Sequence, residues 1–332
     1  MSTTTPRLTL TPAIRLIQSS RDVYLATHIR PDGDALGSLL GLALALEATG
    51  HRVARLCSFP VPPDYDYLPG AELVTAAPPE WPAELGIVVD TDGLARVGEP
   101  LVPVFESLPH LIDIDHHATE KSFGEVRLVD SGAAATAEVV YDVVRALPAE
   151  VTPEIATCFY TALLTDTGRF AFTNTDARAF QVAAELAAAG ADPAAISTAI
   201  YFRRSFAAVR LMGVALGRMQ LHLEGQAISS LVYLQDFVET GAVPSDTEGI
   251  IDHARSVHGP RVSLLLVENE GGEMRVSLRS DGTPNVSHIA LRFGGGGHAA
   301  AAGCTVPGPP EEARQAVLAA VHEALLGGTD AP

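Results

Sequence analysis

Three short runs rich in β-branched and aliphatic residues, Val23 to His28, Leu85 to Asp90 and His110 to Asp115, are each too short for a helix and each close on an imidazole or a carboxylate. A Leu/Ala-rich helical stretch, Leu36 to Thr49, follows the first run, stops at Gly50 and leads into another strand-like run, Arg52 to Cys57. Strands alternating with helices restrict the fold to a largely parallel sheet with helices on both faces, because parallel neighbours need crossover connections. In such a sheet the carboxyl ends of the strands lie on one edge, and ligands bind in the crevice there. Polar groups remote in sequence are therefore expected to meet in one place.

Further helices are expected at about 133–146, Pro153 to Thr165 and Asp176 to Ala189, bounded by Pro148 and Gly190. The Ala-Gly-Ala-Asp-Pro run ending at Pro193 marks a domain boundary, and 332 residues suit two domains. The expected division is 1–192 as a first domain, 193–220 as a helical linker and 221–332 as a smaller α/β domain. The last holds strand-like runs at Gln226 to Leu234, Arg261 to Val267 and Glu273 to Arg279, and a helix over Val286 to Phe293. The Pro- and Gly-rich tail around Pro307 to Pro310 reads as loop.

The net charge of −18 argues against a long nucleic-acid duplex as ligand, since affinity for a polyanion comes from basic side chains. Of 40 acidic residues, 26 fall in the first 192, a balance that suits cations. Cys57, Cys158 and Cys304 form no C-x-x-C pair, so any metal must be held by oxygen and nitrogen. Ala35 to Leu46, the longest uncharged stretch of the first half, is too short to cross a bilayer, and Met1 to Leu10 lacks a secretory pattern. A cytoplasmic protein without membrane contact is expected, and a homodimer is a common assembly for an enzyme of this size. Neither a P-loop nor a G-x-S-x-G elbow is present.

His28 with Asp32 and Asp34, Asp90 with Asp92, and Asp115-His116-His117 stand at the expected strand ends, and Asp166 stands where a helix breaks before Gly168. Taken alone, Asp32 or Asp34 is better read as a cap on the helix that follows. Together, several carboxylates in one crevice repel one another unless cations neutralise them. Asp oxygens with His nitrogens and no sulfur suit Mn²⁺, with Mg²⁺ or Co²⁺ as substitutes. There are too many donors for one open catalytic ion, and they match two ions sharing one carboxylate, for which Asp90 is the candidate. His116 and His117 are adjacent and point to opposite sides, so one is expected to hold metal and the other to meet substrate.

In the second domain, Gly294, Gly295, Gly296 and Gly297 precede His298, and Arg279 ends a strand-like run. Glycine backbone freed to aim N–H groups at an anion, with an arginine able to grip phosphate through two parallel hydrogen bonds, reads as an anion cradle. Metals in one domain and a cradle in the other point to hydrolysis of a phosphate ester.

At these residues the chain resembles the DHH phosphoesterase family, named for the triplet that stands here as Asp115-His116-His117. The segment from His28 through Asp32-Gly33-Asp34 to Ser38 is similar to the family's first motif, Val88-Val89-Asp90-Thr91-Asp92 to the second, and Thr165-Asp166-Thr167-Gly168 to the fourth. The stretches Val276 to Arg279, Asn285 to Phe293 and Gly294 to His298 resemble the associated substrate domain of the branch that includes short-oligonucleotide nucleases (nanoRNases) and phosphatases of 3′-phosphoadenosine 5′-phosphate (pAp). The first domain would then be the DHH catalytic, metal-binding domain and the last the DHH-associated substrate domain.

The resemblance implies that His28 and Asp32 bind one Mn²⁺, that Asp34, His116 and Asp166 bind a second, and that Asp90 bridges both. It further implies that Asp115 orients His116, that His117 contacts the phosphate or assists the leaving oxygen, and that a metal-activated water attacks phosphorus in line. Arg279, His298 and the glycine backbone would hold the substrate's other phosphate or terminal nucleotide. The implied substrates are short RNA oligonucleotides, cut to mononucleotides, and pAp, converted to AMP. A family II-like pyrophosphatase, a cyclic or linear dinucleotide phosphodiesterase and a non-catalytic nucleotide sensor remain as alternatives.

Overall fold

The structure is a computed structural model that describes residues 8–117, 123–297 and 299–327. The chain divides into two compact units, Met1–Arg203 and Arg204–Pro332. In the first, α1 (Thr11–Ser19), β1 (Asp22–Ala26), α2 (Gly33–Ala48), β2 (Arg52–Leu56), β3 (Val74–Thr75), β4 (Leu85–Val89), α3 (Val102–Glu106), β5 (His110–Asp115) and β6 (Val126–Val129) are followed by four helices. These are α4 (Thr136–Ala146), α5 (Pro153–Asp166), α6 (Ala177–Ala188) and α7 (Pro193–Tyr201).

The first sheet is six-stranded in the order β3-β2-β1-β4-β5-β6, and every pairing is parallel. β4 is buried at every residue, as its unbroken Leu-Gly-Ile-Val-Val run requires of a central strand covered on both faces. Side chains alternate between two cores: Leu25 and Ile87 pack with Leu39 and Phe159 on one face, while Tyr24 and Val88 pack with Leu101 and Phe105 on the other. The chain runs from β1 to β2 on one side and returns to place β4 on the other, so the strand order reverses between β1 and β4. That switch point is where an open sheet leaves a crevice at its carboxyl edge.

α2 lies unusually close to α5 because glycine recurs along the contact. A Cβ added at Gly33 would sit 2.4 Å from Thr165 Oγ1, one at Gly37 2.3 Å from the Cys158 carbonyl oxygen, and one at Gly41 2.3 Å from the Phe159 ring. This close approach sets the start of α2, with Asp34, beside the end of α5, with Asp166.

The second unit holds α8 (Phe206–Gly217), β7 (Gln220–His222), β8 (Ala227–Val232), α9 (Leu234–Thr240), α10 (Ile250–Arg255), β9 (Val262–Glu268), β10 (Glu273–Ser280), α11 (Val286–Leu291), β11 (Gly296–Gly297), β12 (Ala301–Pro307) and α12 (Pro310–Gly327). Its sheet runs β11-β12-β10-β9-β8-β7, with β8 and β9 parallel and the other pairs antiparallel. Leu264 and Val276 pack with Val286 and Val317 on one face, and Leu265 with Leu211 and Ile250 on the other.

Two expectations are corrected. The segment 193–220, read as one helical linker, is two helices, α7 in the first unit and α8 in the second; Ser205 starts α8 afresh by accepting a hydrogen bond from the Ala208 N–H at 2.9 Å. The tail read as loop forms β12 and the 18-residue α12. Pro310 opens that helix, where its missing N–H costs nothing, Glu311 and Glu312 face the positive end of the dipole, and Ala313, Val317 and Val321 bury one stripe. Among the described residues, no helix is long and apolar enough to cross a membrane.

Candidate active site

The polar residues expected at strand ends gather at the switch point. His28 follows β1, Asp32 caps α2, Asp34 lies in its first turn, Asp90 follows β4, and Asp115 ends β5 with His116 and His117 just beyond. Asp166 arrives from the far side as the last residue of α5. Asp90 adopts a φ of +58°, the left-handed region that a non-glycine residue enters only when its surroundings impose it. Asp92 stays apart from the cluster, 3.7 Å from Arg96.

Asp90 stands between two groups of possible metal ligands. Its Oδ2 lies 3.5 Å from His28 Nε2, which is 3.9 Å from Asp32 Oδ1; its Oδ1 lies 3.8 Å from His116 Nε2, which is 3.8 Å from Asp34 Oδ2 and 3.6 Å from Asp166 Oδ2. His28, Asp32 and Asp90 form one potential metal-holding set, and Asp34, His116 and Asp166 another. These gaps are wider than hydrogen bonds and narrow enough to be closed by a shared cation. The Asp32 cap is real as well: Oδ1 accepts from the N–H groups of Asp34 and Ala35, both at 3.1 Å.

The imidazole tautomers supply the test of fit. His28 Nδ1–H donates to the Ile29 carbonyl at 2.8 Å, and His116 Nδ1–H to the Ala133 carbonyl at 3.3 Å, so each Nε2 lone pair faces carboxylates. Only a proton or a metal cation between them makes that arrangement favourable, and a backbone carbonyl on Nδ1 is how metal-binding imidazoles are usually oriented. Burial together with the charges of Asp90, Asp166 and Asp32 pushes Asp34 well above the usual carboxylate range. Burial likewise lifts Asp166 to about 6, with the Asp90 and Asp32 charges adding to it. Burial opposes ionisation of Asp90 too, yet His28, with His116 and His117, holds it below the usual range. The crevice is a site for positive charge, and its oxygen and nitrogen donors fit divalent metal ions.

The expected role of Asp115 is corrected. Its Oδ1 accepts from His117 Nδ1 at 2.8 Å and from the backbone N–H of His116 at 2.8 Å, while the ring of His116 is held by Ala133. Asp115 therefore orients His117, because the strand places its carboxylate beside the ring two residues on. That hydrogen bond lifts His117 to about 9 against the opposing effect of burial. His117 also comes within reach of Asp90 and His116, but its Nδ1 is already committed.

Sequence reasoning missed Thr136, the first residue of α4. Its N–H donates to Asp34 Oδ2 at 2.7 Å, and its hydroxyl donates to Asp90 Oδ1 at 2.9 Å. The Ala137 N–H and the Ser38 hydroxyl donate to Asp34 Oδ1 at 3.1 and 3.0 Å. The only signal in the sequence is negative, since Ala135, the residue in the cap position, has no side chain able to cap.

In the second unit, Arg279 stands near the end of β10, partly buried, with Nη1–H donating to the Leu278 carbonyl at 3.0 Å. The glycine cradle is corrected. The N–H groups of Gly294 and Gly295 donate to the Leu291 and Ala290 carbonyls, and Gly296 and Gly297 pair with Gly303 and Ala302 on β12. Small size is what the position requires, since a Cβ at Gly295 would lie 2.2 Å from the Gly303 carbonyl oxygen. His298 lies outside the described residues.

Residues 22–163 match the DHH family, N-terminal domain, and residues 229–326 match the DHHA1 domain, each span lying within one unit. The bifunctional oligoribonuclease and PAP phosphatase NrnA of Thermus thermophilus is 37% identical over 306 residues, 91% of this chain and 90% of that protein. The chain belongs to the DHH family. As a DHH-family phosphoesterase it is an enzyme, and its family triplet is the Asp115-His116-His117 segment at the end of β5. The protein of the same name from Bacillus subtilis is 28% identical, covering 89% of this chain and 93% of its own. The crystal structure of an exopolyphosphatase-related protein from Bacteroides fragilis shares the fold, with a TM-score of 0.89, 23% identity and coverage of 97% of both chains.

Proposed function

We propose that this DHH-family phosphoesterase hydrolyses short RNA oligonucleotides to mononucleotides and dephosphorylates pAp to AMP, using two divalent cations, Mn²⁺ by preference. The observation that carries the reading is the division of Asp90, one carboxylate oxygen facing each potential metal-holding set. Relatives of similar length named as bifunctional oligoribonuclease and PAP phosphatase support the choice of substrates. His28, Asp32 and Asp90 would hold one ion, and Asp34, His116, Asp166 and Asp90 the other. Bound there, such ions neutralise phosphate charge and lower the pKa of water.

The protein's own groups do the rest. Asp115 fixes His117 so that its Nε2 is left to meet a phosphate oxygen or the leaving oxygen. Arg279, with His298, would bind the second phosphate or the terminal nucleotide. A substrate with so few phosphates needs no extended basic groove, which reconciles it with a net charge of −18. Three unpaired, buried cysteines suit the reducing cytoplasm.

The test is turnover by EDTA-stripped protein with added Mn²⁺, run in parallel on a diribonucleotide, a 20-mer RNA, pAp and pyrophosphate. Cleavage of the diribonucleotide and pAp, with the 20-mer slow and pyrophosphate untouched, is expected. Hydrolysis of pyrophosphate alone would overturn the substrate assignment.

A further inference from the structure

We infer that Thr136 is a positioning residue whose hydroxyl locks the rotation of the Asp90 carboxylate, so that one oxygen is presented to each of the two ligand sets. The inference rests on the reading of Asp90 as the shared ligand and goes beyond it, since neither Thr136 nor the start of α4 belongs to the donor set.

Asp90 has a positive φ just beyond β4, and its side chain reaches into a crevice of imidazoles at 3.5 to 3.8 Å, each a longer contact than the Thr136 hydrogen bond at 2.9 Å. Those contacts leave its terminal torsion soft, because a carboxylate rotates in a broad, roughly two-fold well. The Thr136 hydroxyl supplies the short contact, 2.9 Å to Oδ1. A hydroxyl has one proton to give, and its alternative acceptor, Asp115 Oδ1, is at 3.5 Å, so the proton goes to Asp90. With Oδ1 fixed on the His116 side, Oδ2 is turned to His28.

Thr136 is itself held rigidly. It is wholly buried, and its N–H donates at 2.7 Å to Asp34 Oδ2, so Asp34 acts as the cap that α4 lacks in its own sequence. One residue thus ties together a carboxylate of each kind, Asp34 through its backbone and Asp90 through its side chain. In a helix a Thr side chain has two main rotamers open to it, and the Asp90 acceptor at 2.9 Å favours the one that reaches it. Removing such a partner of a metal ligand typically costs about 10- to 100-fold in metal affinity or activity.

The experiment compares Thr136→Ser, Thr136→Ala and Thr136→Val. Ser and Ala both lack the methyl group and differ only in the hydroxyl, so that pair isolates the hydrogen bond even if Val, which keeps the shape, fails to fold. Mn²⁺ alone is titrated into metal-free protein and free Mn²⁺ is read by electron paramagnetic resonance, while kcat and KM are measured on pAp. Ser is expected to bind Mn²⁺ as the unsubstituted protein does. Ala is expected to bind at least one Mn²⁺ about tenfold more weakly and to lose kcat with KM changed less than threefold. Equal Mn²⁺ affinity and equal kcat in Ser and Ala would overturn the inference. Failure of the unsubstituted protein to bind Mn²⁺ would instead overturn the metal reading beneath it.

Discussion

His117 is anchored through Nδ1 to the Asp115 carboxylate, 2.8 Å away, and Asp115 is 0% exposed. The second residue of the triplet turns its ring into the carboxylate cluster while the third is braced by the first. Asp115→Asn keeps an acceptor of the same shape and removes its charge, so the ring loses its charge-assisted hydrogen bond. We expect kcat on pAp to fall about 10- to 100-fold with the bound Mn²⁺ count unchanged. Loss of a metal ion in step with activity would place Asp115 among the ligands.

Asp90→Ala is expected to be the most damaging single change in the crevice. Each of the two groups loses the Asp90 oxygen that faces it, and Thr136 loses its acceptor. Loss of several kcal/mol of charge stabilisation corresponds to a fall in turnover of about a thousandfold or more. Turnover within tenfold of normal, with two Mn²⁺ still bound, would refute the shared role.

Asp113, two residues before Asp115 on β5, gives a pH signature separate from catalysis. Burial pushes its carboxyl from 3.8 to about 7 against the pull of Arg127, whose Nε–H donates to Oδ2 at 3.2 Å, while the charge of Asp115 adds to the rise. Between those two values the folded protein keeps a proton that the unfolded chain has lost, so stability falls as pH rises from about 4 to about 7 and is level above. The span corresponds to about 4 kcal/mol at most, lowered by the partly exposed arginine. Asp113→Asn should therefore raise Tm over the unsubstituted protein clearly at pH 8 and much less at pH 5. An equal difference at both pH values would mean that Asp113 ionises normally.

The crevice was legible in the sequence because most of its acidic and imidazole residues stand at strand ends, where a short β-rich run must stop and a parallel sheet brings the residues just beyond each strand to one edge. Asp166, on a helix end, was legible only beside the others. Thr136 was not, since Thr at a helix start is ordinary and its partners lie 46 and 102 residues away. The glycines before His298 misled because glycine permits both open backbone and close approach, and only the neighbouring β12 shows which was needed. The tail misled for a related reason: proline ends a strand at Pro307 and starts a helix at Pro310, and the two together look like loop.

Two helical glycines should respond to the same substitution with opposite signs. In an exposed helix interior, Gly→Ala gains about 1 kcal/mol. Gly213 in α8 has open space where its Cβ would lie, so Gly213→Ala should raise Tm. At Gly37 the new methyl would lie 2.3 Å from the Cys158 carbonyl oxygen and 2.8 Å from Ala162 Cβ, and backbone cannot yield without moving α5. Overpacking of this kind costs about 1 to 3 kcal/mol, enough to outweigh the helix gain. Because the same contact sets Asp34 beside Asp166, Gly37→Ala should lower Tm and kcat together, whereas Gly213→Ala should leave kcat unchanged. Thermal melts and pAp turnover on both variants check this, and a stabilised, fully active Gly37→Ala protein would show that the α2–α5 approach does not position the site.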